Sequence, residues 1–177
     1  MRNPQNLATY YHWERGRSLN ALKNALGYDE ATQTIEFSGT IQCDGYRVYP
    51  ALASTFEGVQ LEGCLAHIRR KFIEHESLQA HWWVNEVIHL IQQLYQIESQ
   101  LKLSKALPDQ RQKVRQMKAK PIVKQLYQLL THQQRTYTRP KSPERMALNY
   151  TLGQWSSFER YLKMATLKSI TTEPKMR

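Results

Sequence analysis

Cysteine is nearly absent from this 177-residue chain: Cys43 and Cys64 are the only two. Two cysteines make no disulfide framework, so a stapled secreted scaffold is excluded and a reducing compartment is the default. Long apolar runs are missing too. None approaches the ~20 residues that span a bilayer, and the opening MRNPQNLATYYHW has no apolar core of signal-peptide type. The expectation is a soluble, cytoplasmic chain with no membrane partner. Acidic residues are scarce, 15 against 25 lysines and arginines, for a formal charge of +10 and a pI near 9.7. The shortage is local. Residues 1–60 hold 5 basic and 6 acidic side chains, and residues 61–177 hold 20 and 9, so the second part carries +11. Such a surface suits a polyanion, nucleic acid first; a solvated basic helix face is the other reading. Disorder throughout is excluded, because 41% apolar residues can bury a sizeable core. There is no internal repeat and no low-complexity segment, and the length suits one domain or one domain with a helical extension.

What is present begins with alternation. Leu7 to Trp13 reads as a strand. Ser18 is a helix N-cap, followed by Leu19, Leu22, Ala25 and Leu26 on one face, with Gly27 as the stop. Tyr28 to Phe37 is polar and reads as a loop. Gly39 to Cys43 is the next strand, Tyr46 to Thr55 a short helix with Pro50 near its first turn, and Val59 to Leu61 a third strand. Strands alternating with short helices predict a βαβ arrangement and a mainly parallel sheet. From Leu65 onward the period is helical. His67 to Glu76 is a basic helix. Val84, Val87, Ile88, Ile91, Leu94, Tyr95 and Leu101 recur at threes and fours and predict a long amphipathic helix. Pro108 and Asp109 break it. Gln110 to Lys120 is polar and reads as an exposed helix. Pro121 opens another, with Ile122, Val123, Leu126, Leu129 and Leu130 inward. Arg139 to Lys141 is a linker, and Ser142–Pro143 an N-cap and first turn. Met146, Ala147 and Tyr150 begin the next apolar face, Gly153 interrupts it, and Trp155, Phe158, Tyr161 and Leu162 continue it toward Ala165.

The chemistry-bearing residues cluster between Gly39 and Phe72. Asp44 follows an apolar strand and precedes Gly45. Asp-Gly is turn chemistry in any fold; the second reading is a carboxylate ligand for Mg²⁺, which prefers oxygen donors held rigidly at strand ends. Cys64 and His67 have half of a zinc spacing, with no second pair to complete it, so core packing with a satisfied imidazole is the better reading. Arg69, Arg70 and Lys71 are either phosphate contacts or a solvated helix face. Trp82, Trp83 and Trp155 fall in helical patterns and read as core or interface anchors.

The string GTIQCDGYRVY, followed by GCLAHIRRKF and later PKSPERMALNYTLGQW, resembles transposases of the insertion-sequence 66 family across roughly Tyr10 to Leu162. The resemblance implies a DDE catalytic domain of α/β class: a partial RNase H-like fold with an incomplete mixed sheet and a large α-helical insertion or extension. It places a partial catalytic core over residues 1–76, a helical insertion over 77–165 and an irregular, frameshift-like tail over 166–177. In that family three acidic residues hold two Mg²⁺ ions, and the enzyme cuts and joins DNA at the element's ends and at a target. By position Asp44 resembles the second acidic residue and metal ligand. His67 resembles a catalytic helper near the phosphate, and Arg69, Arg70 and Lys71 resemble DNA contacts. The family's first Asp, in a D-E-T-like motif, and its last Glu, in an N-N-x-x-E-like motif, have no counterparts; Glu173 lacks the right neighbours. The expectation is therefore a truncated, inactive transposase fragment, with a residual basic module that binds DNA or a partner as the alternative. The oligomeric state stays open, a homo-oligomer included.

Overall fold

The computed structural model describes residues 18–136 and 139–164. The predicted strand Leu7–Trp13 and the tail from Thr166, Glu173 included, lie outside the described residues. The described residues form a mixed α/β fold and divide into two compact units, 18–41 with 46–61, and 42–45 with the chain from 62 onward.

The first unit opens with α1 (Leu19–Ala25), where the Ser18 Oγ accepts the Ala21 N–H at 3.1 Å as predicted. Gly27, at φ +74°, ends it. Tyr28–Phe37, expected as a loop, instead contains a minimal antiparallel hairpin, β1 (Tyr28–Asp29) against β2 (Thr34–Ile35). Its turn closes on Asp29, whose carboxylate accepts from the Ala31 N–H and the Thr32 hydroxyl, both at 2.9 Å. Polarity hid this hairpin because side-chain bonds, not an apolar face, hold it. Next come β3 (Gly39–Cys43), α2 (Val48–Thr55) and β4 (Val59–Gly63). Pro50 is accepted in the first turn of α2, where an N–H has no partner to lose. The strands pair with each other. The Gly39 N–H donates to the Gly58 carbonyl at 2.9 Å and the Cys64 N–H to the Cys43 carbonyl at 3.1 Å. The near-constant offset makes the pair parallel, with α2 as the crossover.

The second unit is a helical cluster: α3 (Leu65–Ile73), α4 (Glu76–Gln79), α5 (Trp82–Leu103), α6 (Pro108–Val114), a π-helical turn (Arg115–Ala119), α7 (Lys120–Thr136), α8 (Pro143–Gly153), α9 (Trp155–Glu159) and a 3₁₀ turn (Arg160–Lys163). The long amphipathic helix is α5, and Val84, Val87, Leu90, Ile91 and Leu94 are all buried. It packs on α7 through Val123, Leu126 and Leu130. At about 1.5–3 kcal/mol per buried aliphatic side chain, this seam is the main apolar contribution of the unit. Phe72, Trp83, Phe158 and Tyr161 fill the rest of the core. Trp83 and Trp155 are buried as expected, whereas Trp82 is 69% exposed and anchors no core. Met146 also faces out, at 51% exposure. No helix among the described residues is long and apolar enough to cross a membrane.

The segment expected as an exposed helix with a break before Pro121 differs most. Pro108 starts α6 instead of only ending α5, and the Gln110 side chain accepts the Leu107 N–H at 2.9 Å. The helix then passes through the π turn and continues past Pro121 in α7. Proline lacks the N–H of a regular ladder, and the widened turn immediately before it takes up the irregularity. Arg115 in that turn is fully buried. Its Nε and Nη2 donate to the two carboxylate oxygens of Glu98 at 2.6 and 2.8 Å, and Nη1 donates to the carbonyls of Tyr161 and Met164 at 3.3 and 2.5 Å. Gln116 and Gln112 donate to the carbonyls of Leu162 and Lys163 at 2.7 and 3.3 Å. Glu62 on β4 is fully buried, with no hydrogen-bond partner at either oxygen. Burial raises its pKa to about 7, against the pull of Arg115 and with the push of Glu98.

Two outcomes follow. Arg115→Met leaves the Glu98 carboxylate buried and unpaired and lowers unfolding free energy by about 3–5 kcal/mol in urea titration, while Arg115→Met with Glu98→Met recovers most of it. For Glu62, the raised native pKa means that the folded state binds its proton more tightly than the unfolded chain. Its contribution is fully present below pH 4.5 and lost as pH rises to about 7. Glu62→Gln removes this loss, so its stability advantage over the wild type grows across that window to about 3 kcal/mol at pH 8.

Candidate active site at the end of the parallel strands

The site starts from the last rung of the β3–β4 pair. The Cys64 N–H reaches the Cys43 carbonyl at 3.1 Å, so the two strands finish side by side. One residue past Cys43 stands Asp44; at Cys64 the other strand turns directly into α3. Residues Gln42–Gly45 belong to the helical unit, together with everything from Glu62 onward. Neither cysteine is in a disulfide and both are buried, and burial, above all, pushes the Cys43 thiol pKa up. They fill space beneath the strand ends as small apolar groups.

Cys64 also caps α3, its carbonyl accepting from the N–H groups of His67 and Ile68 at 3.1 and 3.2 Å. This places His67 in the first turn of the helix, at the same end of the strands as Asp44. The satisfied imidazole expected from the sequence is not found at Nδ1, which is buried with no hydrogen-bond partner. The half-zinc spacing gathers no further ligands: among the described residues no three of His, Cys, Asp and Glu come together to hold a metal.

The three basic residues follow on the same helix. Arg69 is half-buried. Arg70 and Lys71 both pair with Glu74, at 3.3 and 3.0 Å, and the hydrogen bond from Lys71 is the main reason the Glu74 carboxyl lies below its ordinary range. The sequence reading did not include this acid. Solvent-exposed pairs of this kind are weak and exchangeable. The Lys71 ammonium also lies 5.6 Å from the centre of the Tyr150 ring. Lys71, Glu74, Met146 and Tyr150 are among the residues lining a pocket of about 230 Å³ between α3 and α8.

Besides Glu74, two residues of the site escaped the sequence reading. Tyr150, placed there on an apolar face, donates its hydroxyl to the main-chain carbonyl of Asp44, 106 positions away. Burial, with the Asp44 charge as a second cause, pushes the Tyr150 pKa up to about 12, so the hydroxyl keeps the proton it donates. Gln154, just past α8, lies against Gly45. That glycine has φ +80°, and a Cβ there would collide with the Gln154 amide. No spacing rule signals either contact, because the partner in each case is backbone.

No solved structure matches the chain. Two curated relatives, both from Sinorhizobium fredii, do. Uncharacterized protein y4jD is 30% identical over 141 residues, covering 77% of this chain and 27% of the relative. Uncharacterized protein y4qI is 29% identical over 158 residues, covering 86% and 27%. The chain thus spans about a quarter of the length of these relatives. The model of the Transposase IS66 family matches residues 1–171, which include the Asp44 turn, the Cys64–His67 helix start and α8. With strand ends, basic helix and bracing helix all inside that match, the chain belongs to the IS66 family of transposases.

Proposed function

We propose that this chain carries part of a DDE transposase catalytic core, with an RNase H-like βαβ unit at its centre and DNA as the substrate. The supporting observation is the Cys43–Cys64 rung, which sets Asp44 and the start of α3 at one end of a parallel strand pair. The carboxyl ends of parallel strands are where open α/β sheets build their sites. On this reading Asp44 is the second acidic residue. His67, in the first turn of α3, stands where helix N–H groups and the helix dipole favour an anion, and orients a phosphate. Arg69, Arg70 and Lys71 extend the contact along the DNA backbone. The regions 1–76 and 77–165 then correspond to a catalytic core and a helical insertion.

Two-ion phosphoryl transfer needs two or three carboxylates converging on the metals. The described residues supply one at this place and gather no three ligands anywhere. They do not complete a Mg²⁺ centre. The chain is accordingly proposed to be catalytically silent by itself, while keeping the DNA-facing helix.

A nicking and strand-transfer assay on the element's end sequences, with Mg²⁺ or Mn²⁺, is expected to give no product above background from this chain. Product that Asp44→Ala abolishes would overturn the silent-fragment reading. DNA binding is tested separately by its salt dependence. Three phosphate contacts predict a loss of about 40-fold in affinity between 50 and 200 mM salt. Replacing Arg69, Arg70 and Lys71 together by alanine flattens the log–log slope by about three units, and a slope unchanged by the triple variant would remove α3 as the DNA contact.

A further inference from the structure

We infer that Tyr150 and Gln154, on and just after α8, are positioning residues that hold the Asp44–Gly45 turn in place; the inference rests on reading Asp44 as a catalytic carboxylate. Three independent observations carry it. Residues Gln42–Gly45 group with the helical unit and not with the residues on either side of them in sequence. The Tyr150 hydroxyl donates to the Asp44 carbonyl. The Gln154 side chain fills the space that a Cβ at Gly45 would need. The turn is thus gripped on two consecutive residues from one element. The Tyr150 bond goes to the main-chain carbonyl, so it fixes where Asp44 stands without itself consuming a carboxylate oxygen.

The grip needs a rigid support, and α8 is one. The Ser142 Oγ accepts the Arg145 N–H at 3.2 Å at its start, and the Arg145 Nη1 donates to the Gln134 carbonyl on α7 at 2.6 Å. Ala147, Leu148 and Thr151 are buried along its inner side. Tyr150 and Gln154 are four apart and so share a face of the helical path. A turn with a glycine at φ +80° is the point of greatest backbone freedom between β3 and α2. A carboxylate that must meet a reacting centre within a fraction of an ångström cannot be left on such a turn without a brace. Tyr150 also lies beneath the Lys71 ammonium, so one ring touches the basic helix and the acidic turn together.

The test is amide hydrogen exchange on the full chain. Tyr150→Phe keeps the ring and removes the donor. The expected result is exchange about tenfold faster for residues 43–47, the effect of one lost hydrogen bond of about 1.4 kcal/mol, with residues 84–101 of α5 unchanged. Gln154→Ala is expected to speed the same peptide without disturbing Tyr150. Unchanged exchange at 43–47 in both variants would overturn the inference. So would equal acceleration across α5, α7 and α8, which is the signature of a purely structural tyrosine. The measurement reports the turn whether or not the chain acts on DNA, so failure of the transposase reading in the nicking and salt experiments is a separate result.

Discussion

The buried guanidinium of Arg115 is the constraint on which the helical unit depends. Removing a cation from water is costly, and an ion pair offsets that cost only when the remaining donors also find acceptors. Arg115 meets the condition with partners from two distant places in the chain at once. Its fork takes both oxygens of Glu98 on α5, and its third nitrogen takes the carbonyls of Tyr161 and Met164. Those carbonyls stand at the end of the last helical turns, where acceptors have capacity to spare; that of Tyr161 also takes the Met164 N–H at 3.3 Å. The interaction therefore fixes the distance between α5 and the π turn and the direction in which the chain leaves α9. Glu62, buried without a hydrogen bond and within the field of the pair, sets the pH range over which this arrangement is comfortable.

The candidate site is built by a second kind of constraint, close approach of backbone. The main-chain hydrogen bond from Cys64 to Cys43 aligns the strand ends, and α3 starts from the residue that donates it. Gly45, at φ +80°, lies under Gln154, where a Cβ would push against that side chain's amide and strain the backbone. Turn and bracing helix are far apart in sequence, and the helix reaches the turn through the Tyr150 phenol, with the Gln154 amide just past its end.

The sequence made the apolar architecture legible. The three-and-four spacing from Val84 to Leu101 is α5, the apolar run before Asp44 is β3, and Ser142 with Pro143 opens α8 as the capping rules require. What stayed hidden was polar and long-range. The Tyr28–Ile35 hairpin is held by Asp29 and Thr32 instead of an apolar face. Arg115 lies in a stretch whose composition reads as solvated, and only the fold brings Glu98 to it. Tyr150 was legible as part of an apolar helix face but not as a donor, because its acceptor is a carbonyl that every residue possesses. Of the site, the residues from Asp44 to Lys71 were visible in one continuous stretch; the residues that hold them were not.

The π-helical turn at Arg115–Ala119 has an implication for how this family can vary. Such a turn contains one residue more than the regular ladder uses. Deleting one of its five positions would restore ordinary winding and leave the helix downstream nearly in phase, because the wide turn already absorbs the roughly 100° that one extra residue adds. Val123, Leu126 and Leu130 would stay in the seam with α5, and what would change is the path of the chain at Arg115, where the guanidinium meets Glu98. The extra residue thus serves the buried arginine, so homologues that lack an arginine here are expected to tolerate its loss.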